Sequence, residues 1–371
     1  MTTTRQPETA PTQSPVDAAP RPAAPRPTTP LEAGGPPAGA ASRGRPLLVL
    51  AVLACAVAVV SVLSLCIGSA SNTVSEALHA IFAPTGTVMD VTIRELRAPR
   101  TVTALAVGAA LGMAGTLVQG HTRNPIAEPG LLGINQGAAL AIVGTTAALG
   151  PQPYAVQAVL AFTGALVAAV VVFGIGHVGR RGGSPTTLVL VGAAVTALCT
   201  GVVSGIVLLS EAALETLRFW QVGSVAGRSD ALEILWPLLV VGAAIAWLNA
   251  TQLNALALGE SVATSLGVTT ARARGVGLAA LVLLTGAAVT VAGPIAFLGL
   301  LVPHIVRWAI GADYRWLLPA AALTGAALLL VADVAGRVMA RPGELPVGVV
   351  VAMIGAPVFV YIARRRKVVA V

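Results

Sequence analysis

Apolar runs long enough to cross a lipid bilayer recur along most of this chain, and they constrain its fold more than any other feature. A helix needs about 20 apolar residues to span the hydrocarbon core, and runs close to that length follow one another from Pro46 to Ile362. Only 10% of the 371 residues are charged, against roughly 25% in soluble proteins. So few charges cannot cover a surface that faces water. The chain is therefore predicted to be an all-α, polytopic membrane protein.

The spacing of these runs predicts about ten transmembrane helices. The eighth run is short and follows Gly293-Pro294, so we expect it to be broken or re-entrant. The predicted spans are Pro46–Ile67, Thr101–Gly120, Leu131–Leu149, Ala155–Ile175, Thr187–Leu209, Leu232–Leu248, Gly275–Ala292, Ile295–Trp308, Trp316–Ala332 and Val347–Ile362.

The first 44 residues differ in composition from the rest of the chain. They are rich in Pro, Thr, Ala and Gln and show no apolar periodicity. Such a segment cannot bury enough apolar surface to offset the entropy of ordering it. We expect residues 1–44 to form a disordered, Pro-rich cytoplasmic tail and residues 45–371 to form a transmembrane domain. The first apolar run starts too late and is too long for a cleaved signal peptide.

The distribution of lysine and arginine among the loops predicts the orientation in the membrane. Cytoplasmic loops carry an excess of these residues, and the richer set of loops includes the basic end at residues 364–367. Both termini are therefore predicted to be cytoplasmic, in a multi-pass protein of the cell (inner or plasma) membrane. This orientation places Arg97, Arg100 and Arg337 on the outer side.

One short pattern occurs twice. Pro125-Ile126-Ala127 is followed two residues later by Gly130-Leu131-Leu132, and Pro294-Ile295-Ala296 is followed at the same offset by Gly299-Leu300-Leu301. Five spans separate the equivalent helices, so the two copies would run in opposite directions. Inverted repeats of this kind place a transport pathway at the interface between the copies. The alternative is coincidence in a chain of low complexity.

Several kinds of chemistry are excluded by what the sequence lacks. Lys367 is the only lysine and follows the last span, so no P-loop lysine is present to bind nucleotide phosphates. The four histidines and three cysteines lie too far apart for a metal site. The basic residues are scattered singly, which does not favour nucleic-acid binding despite a net charge of +8. We therefore expect no catalytic residue, no metal site and no cofactor bound by this chain.

Polar residues close to the spans suggest structural or pathway roles. Asp333 lies one helical turn before Arg337, and an ion pair at this spacing would neutralise a carboxylate at membrane depth; proton relay is the alternative. Asn124 and Glu128 flank a Pro-broken region, where they either line the inner mouth of a pathway or cap the third helix. The segment Leu258–Gly267 reads as a short amphipathic helix between glycines, on the inner side.

Several separate motifs, in order, resemble the FecCD family of ABC importer permeases. The similarity runs from about Pro46 to about Arg366, leaving only the tail outside it. The motifs are Leu96-Arg97-Ala98-Pro99-Arg100, Gln119-Gly120, Arg123–Ile134, Trp220 with Gly223-Ser224, Leu258–Gly267, Gly293–His304 and Glu344-Leu345-Pro346-Val347-Gly348.

This resemblance implies a type II ABC importer permease fold and a set of partners. Two ten-helix subunits, a homodimer or a heterodimer of close paralogues, would surround a central pathway in the membrane lipid. Two cytoplasmic ABC ATPases would hold the ATP and magnesium, and an extracytoplasmic substrate-binding protein would dock outside.

The resemblance also implies roles for individual residues. Arg97, Arg100 and Arg337 would pair with glutamates of the binding protein. The ATPase would contact a coupling helix, although Ser261 and Thr264 stand where relatives often carry charged residues. The expected coupling residues are Gly259, Glu260, Ser261, Val262, Ala263, Leu266 and Gly267, and the expected pathway or gate residues are Asn124, Pro125, Glu128, Gly293, Pro294, Pro303 and His304.

The function expected from these features is import by alternating access, with a ferric siderophore as cargo. Cobalamin or haem carried by the same mechanism is the alternative within the family. A secondary transporter driven by ions, and a membrane scaffold or sensor without transport, are the alternatives outside it. A requirement for a separate ATPase and binding protein would distinguish the importer from both.

Overall fold

The computed structural model describes residues 44–68, 72–177 and 185–364, together with residue 2. The predicted tail, residues 1–44, falls almost wholly outside this range, and so does the basic end after residue 364. Within the described part the chain is helical throughout, with short turns and loops between the helices.

Fifteen α-helices are found in the described residues. The first seven are α1 Gly44–Cys66, α2 Val74–Phe82, α3 Val88–Val91, α4 Ala98–Thr122, α5 Ile134–Leu149, α6 Tyr154–His177 and α7 Pro185–Leu209. The next eight are α8 Glu211–Gln221, α9 Ser229–Leu248, α10 Ala250–Ala257, α11 Glu260–Ser265, α12 Thr270–Ala292, α13 Leu298–Ile310, α14 Tyr314–Met339 and α15 Val347–Arg364. A π-helical turn, Thr92–Arg97, joins α3 to α4, and a 3₁₀ turn, Pro129–Leu132, precedes α5.

Seven helical segments of the described chain are long and apolar enough to cross a membrane, and three shorter apolar helices accompany them. The short ones are Ile134–Leu149, Leu298–Ile310 and Val347–Tyr361. Each of the ten predicted spans therefore coincides with a helix, while the number that cross the bilayer completely stays a prediction. The eighth span is short, as its Gly-Pro start suggests.

The second span differs most from its prediction. The apolar run suggested Thr101–Gly120, whereas the helical segment extends over Val88–Thr122. The predicted span began only after the charged residues 94–100, because isolated charges are energetically costly in lipid. In the structure Arg97 and Arg100 form hydrogen bonds to other helices of the protein. The helical segment can therefore continue through them.

The centre of the fold is α4, which packs against α12, α13 and α14. Its glycines face neighbouring backbone: a Cβ at Gly108 would overlap the Gly325 carbonyl, and a Cβ at Gly112 would overlap the Ala321 carbonyl. Small residues allow transmembrane helices to approach this closely. The His121 side chain near the end of α4 contacts Gly277 near the start of α12, so these two helices run antiparallel.

Two non-helical segments turn back into the helix bundle and meet beside α4. The first follows α4, which ends at Arg123 in the left-handed conformation with φ 48°. The second follows α12 and ends at Phe297, also left-handed with φ 66°. Gly299 lies against the carbonyl oxygen of Leu111, which is in the middle of α4. The two segments contain the two copies of the repeated Pro-Ile-Ala pattern and follow antiparallel helices, as an inverted repeat requires.

Candidate functional site

A cluster of charged side chains joins α4 to α14 at the end predicted to face outward. Arg100 binds both carboxylate oxygens of Asp333: Nε lies 3.1 Å from Oδ1 and 3.0 Å from Oδ2, and Nη2 donates to Oδ1 at 2.8 Å. The third nitrogen, Nη1, donates to Glu344 Oε2 at 2.5 Å. Arg337 Nη2 lies 3.0 Å from Asp333 Oδ2. A planar guanidinium is suited to this kind of bidentate pairing.

Two arginines of the cluster hold the end of α1. Arg97 Nη1 donates to the carbonyl oxygens of Leu65 at 2.8 Å and Cys66 at 3.2 Å. Arg337 Nη1 donates to the carbonyl oxygens of Ser64 and Ile67, both at 2.9 Å. The last carbonyls of a helix have no partner within the helix and carry partial negative charge. These arginines therefore satisfy the end of α1, and both are buried.

The three arginines predicted to dock a partner line one open cavity of about 290 Å³. Arg228 also lines it, with its guanidinium 4.2 Å from the centre of the Tyr154 ring. Burial lowers the pKa of Arg228 to about 10, so this side chain stays charged at neutral pH. The cavity is rimmed by the carboxylates Glu95 and Glu344. It is thus a predominantly positive recess with acidic groups at its edge.

Glu128, one of the predicted pathway residues, links the two copies of the repeat. Its Oε1 accepts a hydrogen bond from the backbone N–H of Phe297 at 2.8 Å, so one copy of the repeat binds the other directly. Asn124 Oδ1 accepts from the N–H of Ile126 at 3.1 Å within its own turn. Neither side chain caps the third span: Glu128 precedes the 3₁₀ turn and Gly133 precedes α5, and no side-chain hydrogen bond caps either element.

The other predicted pathway residues lie on the second copy of the repeat. Gly293 is buried, ends α12 with φ 74° and lies against the carbonyl of Trp220. Pro303 is buried inside α13. His304 Nδ1 lies 2.9 Å from the carbonyl oxygen of Leu300, one turn earlier. Pro125 and Pro294 are half-buried on the two re-entrant segments.

The predicted coupling segment forms a short helix, α11, between two glycines with positive φ. Gly259 has φ 113° and Gly267 has φ 79°, so both adopt conformations that side chains disfavour. Val262 and Leu266 are exposed, while Ala263 is buried. An exposed apolar pair on a short helix is a surface that a partner protein can bind.

Two arginines tie the coupling segment and the helix before it, α10, to the transmembrane helices. Arg274 of α12 forms an ion pair with Glu260 at the start of α11. Arg123, which ends α4, donates to the carbonyl oxygen of Leu256 at 2.6 Å, at the end of α10. Sequence reasoning missed both contacts, because no local spacing links these residues.

Among the described residues, no cluster of three or more His, Cys, Asp or Glu side chains is arranged to hold a metal ion. The charged cavity and the two re-entrant segments are the features available for recognition and transport. The model of the FecCD transport family matches residues 56–365. This chain belongs to the FecCD transport family.

Individual members of the family are similar over most of their length. The ferric enterobactin transport system permease protein FepD of Escherichia coli (strain K12) is 46% identical over 323 residues, 86% of this chain and 94% of that protein. The iron(3+)-hydroxamate import system permease protein FhuB of Bacillus subtilis (strain 168) is 40% identical over 325 residues, 86% of this chain and 84% of that protein.

A solved structure supports the same conclusion for the fold. It is described as a metal-chelate type ABC transporter in an inward-facing conformation, and it superposes with a TM-score of 0.75 at 27% identity, covering 86% of this chain and 99% of that one. The predicted family, the all-α type II importer permease fold and the role of a membrane-spanning ABC transporter permease are thereby confirmed. This FecCD chain is a permease subunit, and the family indicates no catalytic role for it.

Proposed function

We propose that this FecCD permease carries ferric siderophores into the cell by alternating access, powered by a separate ATPase. The observation that carries the cargo assignment is the similarity to permeases whose names specify ferric enterobactin and iron(3+)-hydroxamate. The chain itself has no P-loop lysine, so the nucleotide must be hydrolysed elsewhere. Two copies of the permease, or one copy with a close paralogue, form the pathway in the membrane, and both termini face the cytoplasm.

The outer cavity is the docking site for a substrate-binding protein in this proposal. Arg97, Arg100 and Arg337 line it together, and Arg100 is the least buried of the three, so a carboxylate of the partner meets its guanidinium first. Attraction between this positive recess and an acidic partner speeds encounter and is weakened by salt.

The inner segment Gly259–Gly267 is the contact for the ATPase. The exposed side chains of Val262 and Leu266 supply an apolar surface. The ion pair between Glu260 and Arg274 gives movement of this segment a route to α12, and the neighbouring helix α10 is held to α4 by Arg123. Between the two ends, the contact of Glu128 with Phe297 keeps the re-entrant segments together at the pathway.

Uptake by vesicles that contain the whole complex tests the cargo. Radioiron-labelled ferric catecholate and ferric hydroxamate chelates would be offered with ATP inside, with unlabelled haem and cobalamin as competitors. We expect saturable uptake of at least one ferric chelate that neither competitor blocks. No uptake of any ferric chelate, together with uptake of labelled haem or labelled cobalamin in a parallel assay, would assign the permease to another branch of the family.

A charge-reversal experiment tests the docking surface. Arg97→Glu and Arg100→Glu together are expected to weaken binding of the substrate-binding protein by at least tenfold while the ATPase still associates. Arg94→Glu, an exposed arginine on the same segment, is the matched control. Unchanged docking of the double variant would refute the assignment.

A further inference from the structure

Glu344 already accepts a hydrogen bond from Arg100, one of the arginines proposed to receive the binding protein. The guanidinium of Arg100 meets Asp333 with its Nε and Nη2 atoms and Glu344 with Nη1. All three nitrogens of its fork therefore already have carboxylate partners in this chain. A glutamate from another protein can therefore bind these nitrogens of Arg100 only by displacing Asp333 or Glu344.

The two carboxylates differ in how readily they can be displaced. The Asp333 side chain is 1% exposed and is held by Arg337 as well as Arg100. The Glu344 side chain is 41% exposed and lies in the segment between α14 and α15, next to the cavity opening. Removing Asp333 would leave the buried Arg337 and the half-buried Arg100 without their shared anion, which is expensive. Moving Glu344 exposes a carboxylate to water, where it is well solvated.

Exchange of one carboxylate for another also costs little electrostatic energy. Arg100 keeps the same number of charge-assisted hydrogen bonds before and after the exchange, because the incoming glutamate restores the bond from Nη1. The affinity is then set by the difference between the two carboxylates rather than by the full strength of an ion pair. A transporter gains from this, since its binding protein must dock and also leave in every cycle.

We propose that Glu344 is a built-in competitor for the docking arginine, and that it moderates the affinity of the permease for the acidic surface of its substrate-binding protein. This inference rests on the proposed docking function and names the residue that tunes it. In the free permease Glu344 neutralises the exposed edge of Arg100. In the complex the partner's carboxylate accepts the hydrogen bond from Arg100 Nη1, and the Glu344 side chain turns to solvent.

The test compares Glu344→Gln with Glu95→Gln in the full permease complex, reconstituted in lipid nanodiscs. Glu95 lines the same cavity and is exposed, so both substitutions remove one negative charge from its rim. The binding protein's Kd and dissociation rate would be measured at low and at physiological salt. An exposed ion pair is worth about 0.2–1 kcal/mol, so Glu344→Gln is expected to tighten docking by about 1.4- to 5-fold, mainly through slower dissociation.

The control separates competition from a general charge effect. Glu95→Gln is expected to change the association rate slightly, through the loss of one charge, and to leave the dissociation rate as in the unchanged protein. Equal dissociation rates for the two variants, or weaker docking by Glu344→Gln, would overturn the proposal. Glu344→Asp, whose side chain is too short to keep the contact at 2.5 Å, gives a second measurement with the charge retained and is expected to tighten docking as well.

Failure of this inference can be distinguished from failure of the proposed docking site. If the double arginine variant loses docking while Glu344→Gln and Glu344→Asp bind as the unchanged protein does, the site stands and the competitor does not. If docking ignores the arginines altogether, the site itself is wrong. Thermal melting of each variant in nanodiscs reports whether the exposed substitution disturbs the fold.

Discussion

Asp333 is the residue on which the outer charged cluster depends. It is fully buried and accepts hydrogen bonds from Arg100 on α4 while pairing with Arg337 one turn later on α14. A lone carboxylate inside a helix bundle would be costly, but two guanidinium groups compensate it. The same arginines are then fixed in place along the cavity that is proposed to receive the binding protein.

Replacing Asp333 with Asn should destabilise the permease strongly. The change leaves the buried Arg337 and the half-buried Arg100 without their common anion, and removing one partner of a buried pair costs about 3–5 kcal/mol. Thermal unfolding in detergent, followed by loss of the monodisperse peak, measures the effect. Asp230→Asn, at an exposed position of α9, is the control and should unfold as the unchanged protein does. Equal stability of the two variants would contradict the role given to Asp333.

Glu128 is expected to act through the hydrogen bond that it accepts from the Phe297 N–H. Glu128→Gln keeps an acceptor oxygen and should retain most of the transport rate. Glu128→Ala leaves a backbone N–H unpaired, at a cost of about 1–3 kcal/mol, and should lose both transport and stability. Uptake rates and melting temperatures of the two variants check this. Similar behaviour of Gln and Ala would show that the contact does not hold the re-entrant segments.

The sequence predicted a residue contact only where spacing along one helix determined it. Asp333 and Arg337 are one turn apart, so their pairing follows from helix geometry. Arg100 is 233 positions from Asp333, and nothing local indicates that α4 and α14 place them together. The bond between Glu128 and Phe297 joins two recognised copies of one motif, yet the motif alone does not state which atoms meet.

At the scale of elements, α4 joins the two ends of the transport machinery. It begins at the arginine cluster, packs through glycines against α14 and α13, and ends at Arg123, which holds α10. The predicted span began too late, at Thr101, because residues 94–100 are charged. Hydropathy alone cannot distinguish a charge that faces lipid from one that is paired within the protein.

Gly115→Ala should disrupt the packing of α4. A Cβ at this position would overlap the carbonyl oxygen of Gly299 at the start of α13, and forced overpacking costs about 1–3 kcal/mol. Gly144→Ala on α5, where a Cβ would have nothing within 4 Å, is the matched control. We expect a lower melting temperature and slower uptake for the first variant alone. Comparable losses in both would indicate a general intolerance of the helices to alanine.

Arg274→Gln should weaken the coupling between ATP hydrolysis and transport. The substitution breaks the ion pair that links α12 to Glu260 of the coupling helix, while the exposed surface of α11 is untouched. The number of ATP molecules hydrolysed per cargo imported is expected to rise, with ATPase binding unchanged. Arg272→Gln, at an exposed position two residues earlier, is the control. An unchanged ratio would show that movement reaches the membrane by another route.

At the scale of the whole molecule, sequence reasoning recovered the fold class and the family. Apolar runs predicted the helices because the thickness of the bilayer sets their length. Motifs spread over the chain indicated the family. The contacts between residues far apart in sequence could not be predicted, because they depend on how closely glycine-lined helices approach one another. The short helices α8, α10 and α11 carry little apolar signal of their own, and only α11 was expected, from its flanking glycines.

The permease is proposed to use the energy of a separate nucleotide-hydrolysing subunit. Proteoliposomes that contain the permease alone, the permease with its ATPase, and the permease with both ATPase and binding protein distinguish the sources of energy. Radioiron-labelled ferric siderophore is expected to accumulate only in the third preparation, and only when ATP is present on the ATPase side. Accumulation by the permease alone, driven by a proton or sodium gradient, would contradict this proposal.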